Sequence, residues 1–209
     1  TTDFNTYIFY KRSNIENSNK SFKCLVEDTE DHLTSDYKIN SENQILSTDS
    51  KFRRYRFAMA CTTEYAAFHV NAAPNNVPQT TEVQKKQIVL AAMNVTINRL
   101  NSIYERDLSI RFVLVANNSN IIFINSDNFA NDNPEILIDQ SQAVITNIIG
   151  TSNFDIGHTV STEGGGLASP SPCFASSKAS GITGVFFPVG DPFDIDYVAH
   201  EMGHQYGGN

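Results

Sequence analysis

Two histidines four residues apart, with a glutamate after the first, constrain this chain more than any other stretch: His200-Glu201-Met202-Gly203-His204. On a helix that interval puts both imidazoles on one face, one turn apart. Two ring nitrogens so placed can reach one zinc ion at roughly 2.0–2.1 Å. Glu201 points to the side of such a metal, where it can hold a water molecule and take its proton. Gly207 follows three residues after His204 and can adopt the left-handed conformation that ends a helix and turns the chain. The pattern begun here is His-Glu-x-x-His-x-x-Gly-x-x-His, whose third histidine would be residue 210, directly after Asn209. The competing reading is a surface helix with two solvated histidines.

The chain opens at Thr1 without an apolar leader and ends inside this pattern, so it reads as a piece of a longer precursor. Its 209 residues, 40 % apolar, suffice for one good-sized core. Fifteen basic and 23 acidic residues give a net charge of −8. An acidic chain without a basic cluster argues against nucleic acid and anionic membrane surfaces as partners. No apolar run approaches the ~20 residues needed to span a bilayer. Three cysteines (Cys24, Cys61, Cys173) are an odd number, so at least one is unpaired, metal-bound or paired elsewhere.

Residues 1–52 differ in character from the rest. Thr6–Tyr10 and Lys20–Val26 each suit a strand, and Glu27–Ser50 is too polar to bury a core of its own. The segment runs into Lys51-Phe52-Arg53-Arg54-Tyr55-Arg56, which is either an exposed processing site or a solvated strand edge. Tyr55–Cys61 alternates and then turns apolar, as a strand entering the core does. Thr80–Tyr104 is the clearest helix, with Thr80 as cap, Glu82 in the first turn, and an apolar stripe through Val83, Leu90, Met93, Ile97, Leu100 and Tyr104. Strands are expected at Leu108–Val115, Ile121–Ile124 and Phe154–Val160, a last strand or extended approach at Gly181–Val189, and a helix at Ile136–Ile149 ending on Gly150. Asp191-Pro192 opens the final helix, and Asp194 and Asp196 complement its dipole. His69 and His158 lack a second ligand at a matching interval and read as structural. The three aspartates 191, 194 and 196 admit calcium, though capping accounts for them equally well.

The stretch Ala199-His200-Glu201-Met202-Gly203-His204, with Gly207, resembles the zinc-binding helix of the metzincin metallopeptidases, closest to the reprolysin (adamalysin-like) branch with its secreted bacterial members. The resemblance covers residues ~53–209. It implies an α/β (α+β) fold: a twisted mixed sheet backed by a helix, with a C-terminal zinc helix, forming the upper subdomain of the catalytic domain after a propeptide part at 1–52. Gly165-Gly166-Leu167-Ala168, with Cys173 shortly after, resembles the reprolysin edge strand that pairs antiparallel with peptide substrate; a flexible surface loop is the alternative. The implied activity is zinc-dependent hydrolysis of protein or peptide substrates, with Glu201 as base and then acid, and His200, His204 and residue 210 on the metal. The implied location is extracellular.

In many metzincin zymogens a propeptide cysteine ligates the zinc. Cys24 lies in the segment read as propeptide, although Leu25 stands where the family's motif has glycine. Cys24 is therefore a latent-state zinc ligand, a buried thiol or a disulfide partner. If it is the ligand, the resemblance implies that Cys173 pairs with a cysteine beyond Asn209 and that Cys61 is a buried thiol. Two further readings compete with the resemblance: a thermolysin-like protease with a downstream glutamate ligand, and a non-catalytic binding module on a protease scaffold.

Overall fold

The computed structural model describes residues 23–26, 50–170 and 172–208. The strand expected at Thr6–Tyr10, and all but residues 23–26 of that at Lys20–Val26, lie outside them. The sheet grows around β1 (Arg53–Cys61), which changes character halfway. Arg53, Arg54 and Arg56 are exposed, while Phe57 to Cys61 are fully buried. Arg56 grips Asp155 with its guanidinium at 3.1 and 2.6 Å and donates its backbone N–H to the same carboxylate at 2.7 Å. The arginines of the basic run are thus part of a strand, its solvated end.

Alternation along β1 sends Phe57, Met59 and Cys61 to one face and Ala58 and Ala60 to the other. The first face packs against α1 (Thr63–Ala72), α2 (Glu82–Leu108) and the C-terminal helical segment; the second packs against α3 (Pro134–Ile149). Large residues meet the helix pair, and alanines let α3 approach closely. Each fully buried side chain such as Phe57, Met93 or Leu137 contributes roughly 1.5–3 kcal/mol. β2 (Ile110–Leu114), β1, β3 (Ile156–Ser161) and β5 (Gly181–Gly184) are parallel neighbours in that order. β4 (Gly165–Ala168) pairs antiparallel with β5 and forms the edge. The sheet is mixed, as expected.

α2 begins one residue later than the sequence suggests. Thr81, not Thr80, is the cap, because Gln84 reciprocates: its N–H reaches the Thr81 hydroxyl at 3.2 Å and its side-chain oxygen takes the Thr81 N–H at 3.1 Å. Val83 falls off the buried stripe and is exposed. The helix α1 has no counterpart in the sequence reading. Its buried residues, Tyr65, Ala66 and Val70, make too short a stripe to announce it, and its one local signal is the cap Thr62, which accepts from the Tyr65 N–H at 3.3 Å.

The strand expected at Ile121–Ile124 does not form. Asn118 takes its place beside β1, accepting from the Met59 N–H and donating to the Met59 carbonyl, both at 2.9 Å. A side-chain amide has the donor and acceptor of a peptide group, so it completes the ladder. The chain there is a 3₁₀ turn (Asn118–Ile121), and Ile122 makes only an isolated bridge to Cys61. β5 is likewise shorter than expected and ends at Gly184. An alanine there would drive its Cβ into the Glu163 carbonyl, and Phe186 and Phe187 beyond it are exposed.

Candidate metal centre

The final helix is not one regular element. Gly190–Phe193 (α4) is α-helical, Asp194–Ala199 is a π-helical turn, and His200–Gln205 (α5) returns to α. Six residues cannot hold a helix alone, so α5 depends on anchors. The Tyr104 hydroxyl donates to the Ala199 carbonyl at 2.8 Å, just before His200. Asp194, buried at the start of the π turn, accepts from the Thr96 hydroxyl at 2.7 Å. Both anchors come from α2, the long helix beneath.

The interval His200 to His204 does what the sequence predicts. The two Nε2 atoms stand 3.0 Å apart, with the rings at 89°. His204 Nδ1 lies 2.8 Å from the Gly208 carbonyl, which can only accept, so the ring's proton sits on Nδ1 and Nε2 presents a lone pair. No local pattern marks Gly208 for this role. Gly207 makes it possible: with φ at +82° it turns the chain back so that Gly208 meets its own helix end.

Cys24 joins this pair from 180 residues away, its Sγ 3.5 Å from His204 Nε2. Donor atoms of Cys24, His200, Glu201 and His204 all lie within 4.8 Å of one another. This donor set fits zinc. With Zn–N and Zn–S bonds of roughly 2.0–2.1 and 2.3 Å, a tetrahedron puts two nitrogens about 3.4 Å apart and nitrogen and sulfur about 3.5 Å apart. Among the described residues no other group of three or more such side chains converges. In particular the calcium expectation finds no support. Asp191 is held by the Arg99 guanidinium at 2.9 and 2.8 Å, Asp194 accepts from Thr96, and Asp196 is exposed.

Glu201 is wholly buried, and among the described residues neither carboxylate oxygen has a hydrogen-bond partner of ordinary geometry. Burial pushes its pKa up to about 7, offset only in part by the Cys24 thiol. A cation beside it would favour the anion and pull the value back down.

The edge strand lies above this cluster and carries the segment with Cys24. The Gly166 N–H donates to the Lys23 carbonyl at 2.9 Å, and the Leu25 N–H donates to the Gly166 carbonyl at 2.8 Å, a parallel bridge. Gly165 has φ +78°, and a Cβ on it would overlap the Lys23 carbonyl. Of the residues singled out from sequence, then, Cys24, His200, Glu201 and His204 meet at one point, with Gly165–Ala168 alongside. Cys61 is a buried thiol, pushed up to about 12 by burial, and none of the three cysteines is in a disulfide.

His158 stands outside the cluster, beneath the end of α5. Burial lowers its pKa to about 4, against a small opposing effect of its bond to Gln205. A folded-state value below the ordinary ~6.5 means the unfolded chain binds the extra proton first. Stability from the neutral ring is therefore full above pH ~6.5 and lost as pH falls toward 4. Because Glu201 acts in the opposite sense, the expected result is a difference. Between pH 6.5 and 4 the wild type loses about 3 kcal/mol more than His158→Asn, measured by urea unfolding at each pH.

No helix among the described residues is long and apolar enough to cross a membrane. Comparison with curated proteins gives no significant match. Comparison with family models matches residues 90–209, more than half of the chain and all of the final helix, to the reprolysin-like metallo-peptidases of family M12B. The chain belongs to that family of zinc-dependent metallopeptidases, whose substrates are proteins or peptides.

Proposed function

We propose that this chain is the zinc-binding part of a secreted endopeptidase held in its latent form, with residues 1–52 as propeptide and 53–209 as the upper catalytic subdomain. The observation that carries the reading is Glu201: a buried carboxylate without a hydrogen-bond partner of ordinary geometry among the described residues, beside two convergent imidazole nitrogens. Such burial costs stability, and a non-catalytic scaffold gains nothing from it.

His200 and His204 would hold the zinc through Nε2, with Cys24 as a further ligand in the latent state. When bound, zinc supplies a Lewis acid that polarises a peptide carbonyl and acidifies water. Glu201 takes a proton from water through its carboxylate and returns it to the leaving amine, base first and acid second. The Gly208 carbonyl keeps the His204 proton on Nδ1 and so keeps Nε2 available. Gly165–Ala168 offers a peptide substrate the free side of an edge strand, and its glycines keep side chains out of the approaching backbone's way.

In the latent form that edge is taken. Residues 23–25 use both hydrogen-bonding groups of Gly166 and run parallel to β4, whereas the substrate of this family is expected antiparallel. The segment thus fills the cleft in the reverse sense, without presenting its own peptide bonds in the productive direction.

The test is anomalous scattering at the zinc edge from crystals of the protein. A peak bonded to His200 Nε2, His204 Nε2 and Cys24 Sγ is the expected result. A zinc site that excludes Cys24 removes the latency reading, and no peak between the histidines removes the metal assignment.

A further inference from the structure

His158 and Gln205 are both buried, both polar and unused in the chemistry above, yet Gln205 ends the helix of His200 and His204 and His158 bonds to it. On β3, Ile156, His158 and Val160 face the helical segment, and the two apolar residues join the core there. His158 sits between them, fully buried, and reaches Gln205, the residue after His204.

The hydrogen bonds fix a direction. Gln205 Nε2 donates to the Gly157 carbonyl at 3.0 Å, so its Oε1 is left to accept. His158 Nδ1, 2.9 Å from that oxygen, must carry the proton. His158 Nε2 is then an acceptor for the Thr183 hydroxyl, also at 2.9 Å. The chain runs from Thr183 on β5 through His158 on β3 to Gln205 on α5 and back to Gly157 on β3, with every member satisfied. Gly181 makes room for it: a Cβ there would overlap the Gln205 amide.

Successive residues of an α-helix are about 100° apart around its axis. Pinning Gln205 into the sheet therefore sets where His204 points, and with it His200 one turn earlier. Tyr104 ties down the other end of α5; at the His204 end Tyr206 packs on Tyr55 and Phe112, and this network adds directional hydrogen bonds from the helix to the sheet. We propose that His158 and Gln205 are positioning residues that fix the rotation of the zinc helix, so that metal affinity depends on two side chains that do not touch the metal. The inference rests on the reading that His200 and His204 hold zinc.

The amide nitrogen of asparagine falls where the imidazole Nδ1 stands, so His158→Asn keeps the donor to Gln205, while His158→Leu and Gln205→Met remove the link at nearly constant volume. Thr183→Val removes the far hydroxyl alone. Zinc affinity by chelator competition and the visible spectrum of the cobalt(II)-loaded protein are compared across these variants of the chain. His158→Leu and Gln205→Met are expected to bind zinc roughly 10–100-fold more weakly and to show an altered cobalt spectrum. His158→Asn, which keeps the donor to Gln205 but gives up the bond to Thr183, and Thr183→Val should both fall between the wild type and these two. If His158→Leu does not fold, Asn and Val still decide. The proposal is overturned if Gln205→Met and Thr183→Val melt at lower temperature but keep wild-type affinity and spectrum, or if Asn is as damaging as Leu. A wild type that binds no zinc overturns the metal reading itself, before any comparison of variants.

Discussion

Glu201→Ala is expected to abolish peptide hydrolysis while leaving zinc bound. The carboxylate sits on α5 between the two histidines in sequence but not in direction, being turned about 100° from His200 into the space shared with His204 and Cys24. It is therefore beside the metal donors rather than opposite them, where a proton acceptor for water belongs. Loss of a positioned general base costs about 10²–10⁴-fold in rate, and here the same group returns the proton to the amine, so the upper end applies. The variant should not lose metal, because both Nε2 donors and the Gly208 bond that orients His204 remain. Removing a carboxylate whose ionised form burial disfavours should also stabilise the fold. The check is hydrolysis of an unstructured protein substrate after propeptide removal, together with zinc content and melting temperature. Retained hydrolysis would mean that another group takes the proton, and a loss of zinc would mean that Glu201 is a ligand.

The convergence of His200 and His204 was legible because its information is local. A spacing of four puts His200 and His204 together on any α-helix, and nothing elsewhere in the chain needs to cooperate. The long helix and the parallel strands were legible for the same reason, since their apolar periods are intrinsic. What escaped was set by partners distant in sequence. Nothing in Asp194–Ala199 announces a π turn; it is held by Thr96 and Tyr104 on α2. The strand expected at Ile121–Ile124 lost its place to Asn118, whose amide imitates a peptide group, an outcome no periodicity registers. His158 read as structural, and it is indeed outside the metal cluster, but its bond to Gln205 depends on the β3–α5 packing and on the bare Cα of Gly181. The meeting of Cys24 with the histidines was not legible: from sequence it was a latent-state ligand, a buried thiol or a disulfide partner, and the choice turns on where the segment around it lies. The pairing of residues 23–25 with Gly166 supplies that position.

Cys24→Ala should therefore release latency. Among the described residues the segment around Cys24 meets the site through the backbone bridge to Gly166 and the thiol at His204. The bridge alone involves only two hydrogen bonds, each worth roughly 0.5–1.5 kcal/mol net, too little to exclude a substrate that makes the same bonds. The thiol is the stronger element, since a thiolate is a good zinc ligand and its tether to the cleft raises its effective concentration. Deleting it should raise basal hydrolysis on the order of 10²-fold, with little change in melting temperature because Cys24 is only half-buried. Gly165→Ala gives an independent route to the same state. Its Cβ would overlap the Lys23 carbonyl, and its φ of +78° disfavours any side chain, so the segment is pushed off with the sulfur intact. In that variant Cys24 should react faster with a thiol reagent while His200, Glu201 and His204 are untouched. If Cys24→Ala alters only stability, and Gly165→Ala leaves thiol reactivity unchanged, the thiol is a packing group and the segment blocks the cleft by its bulk alone.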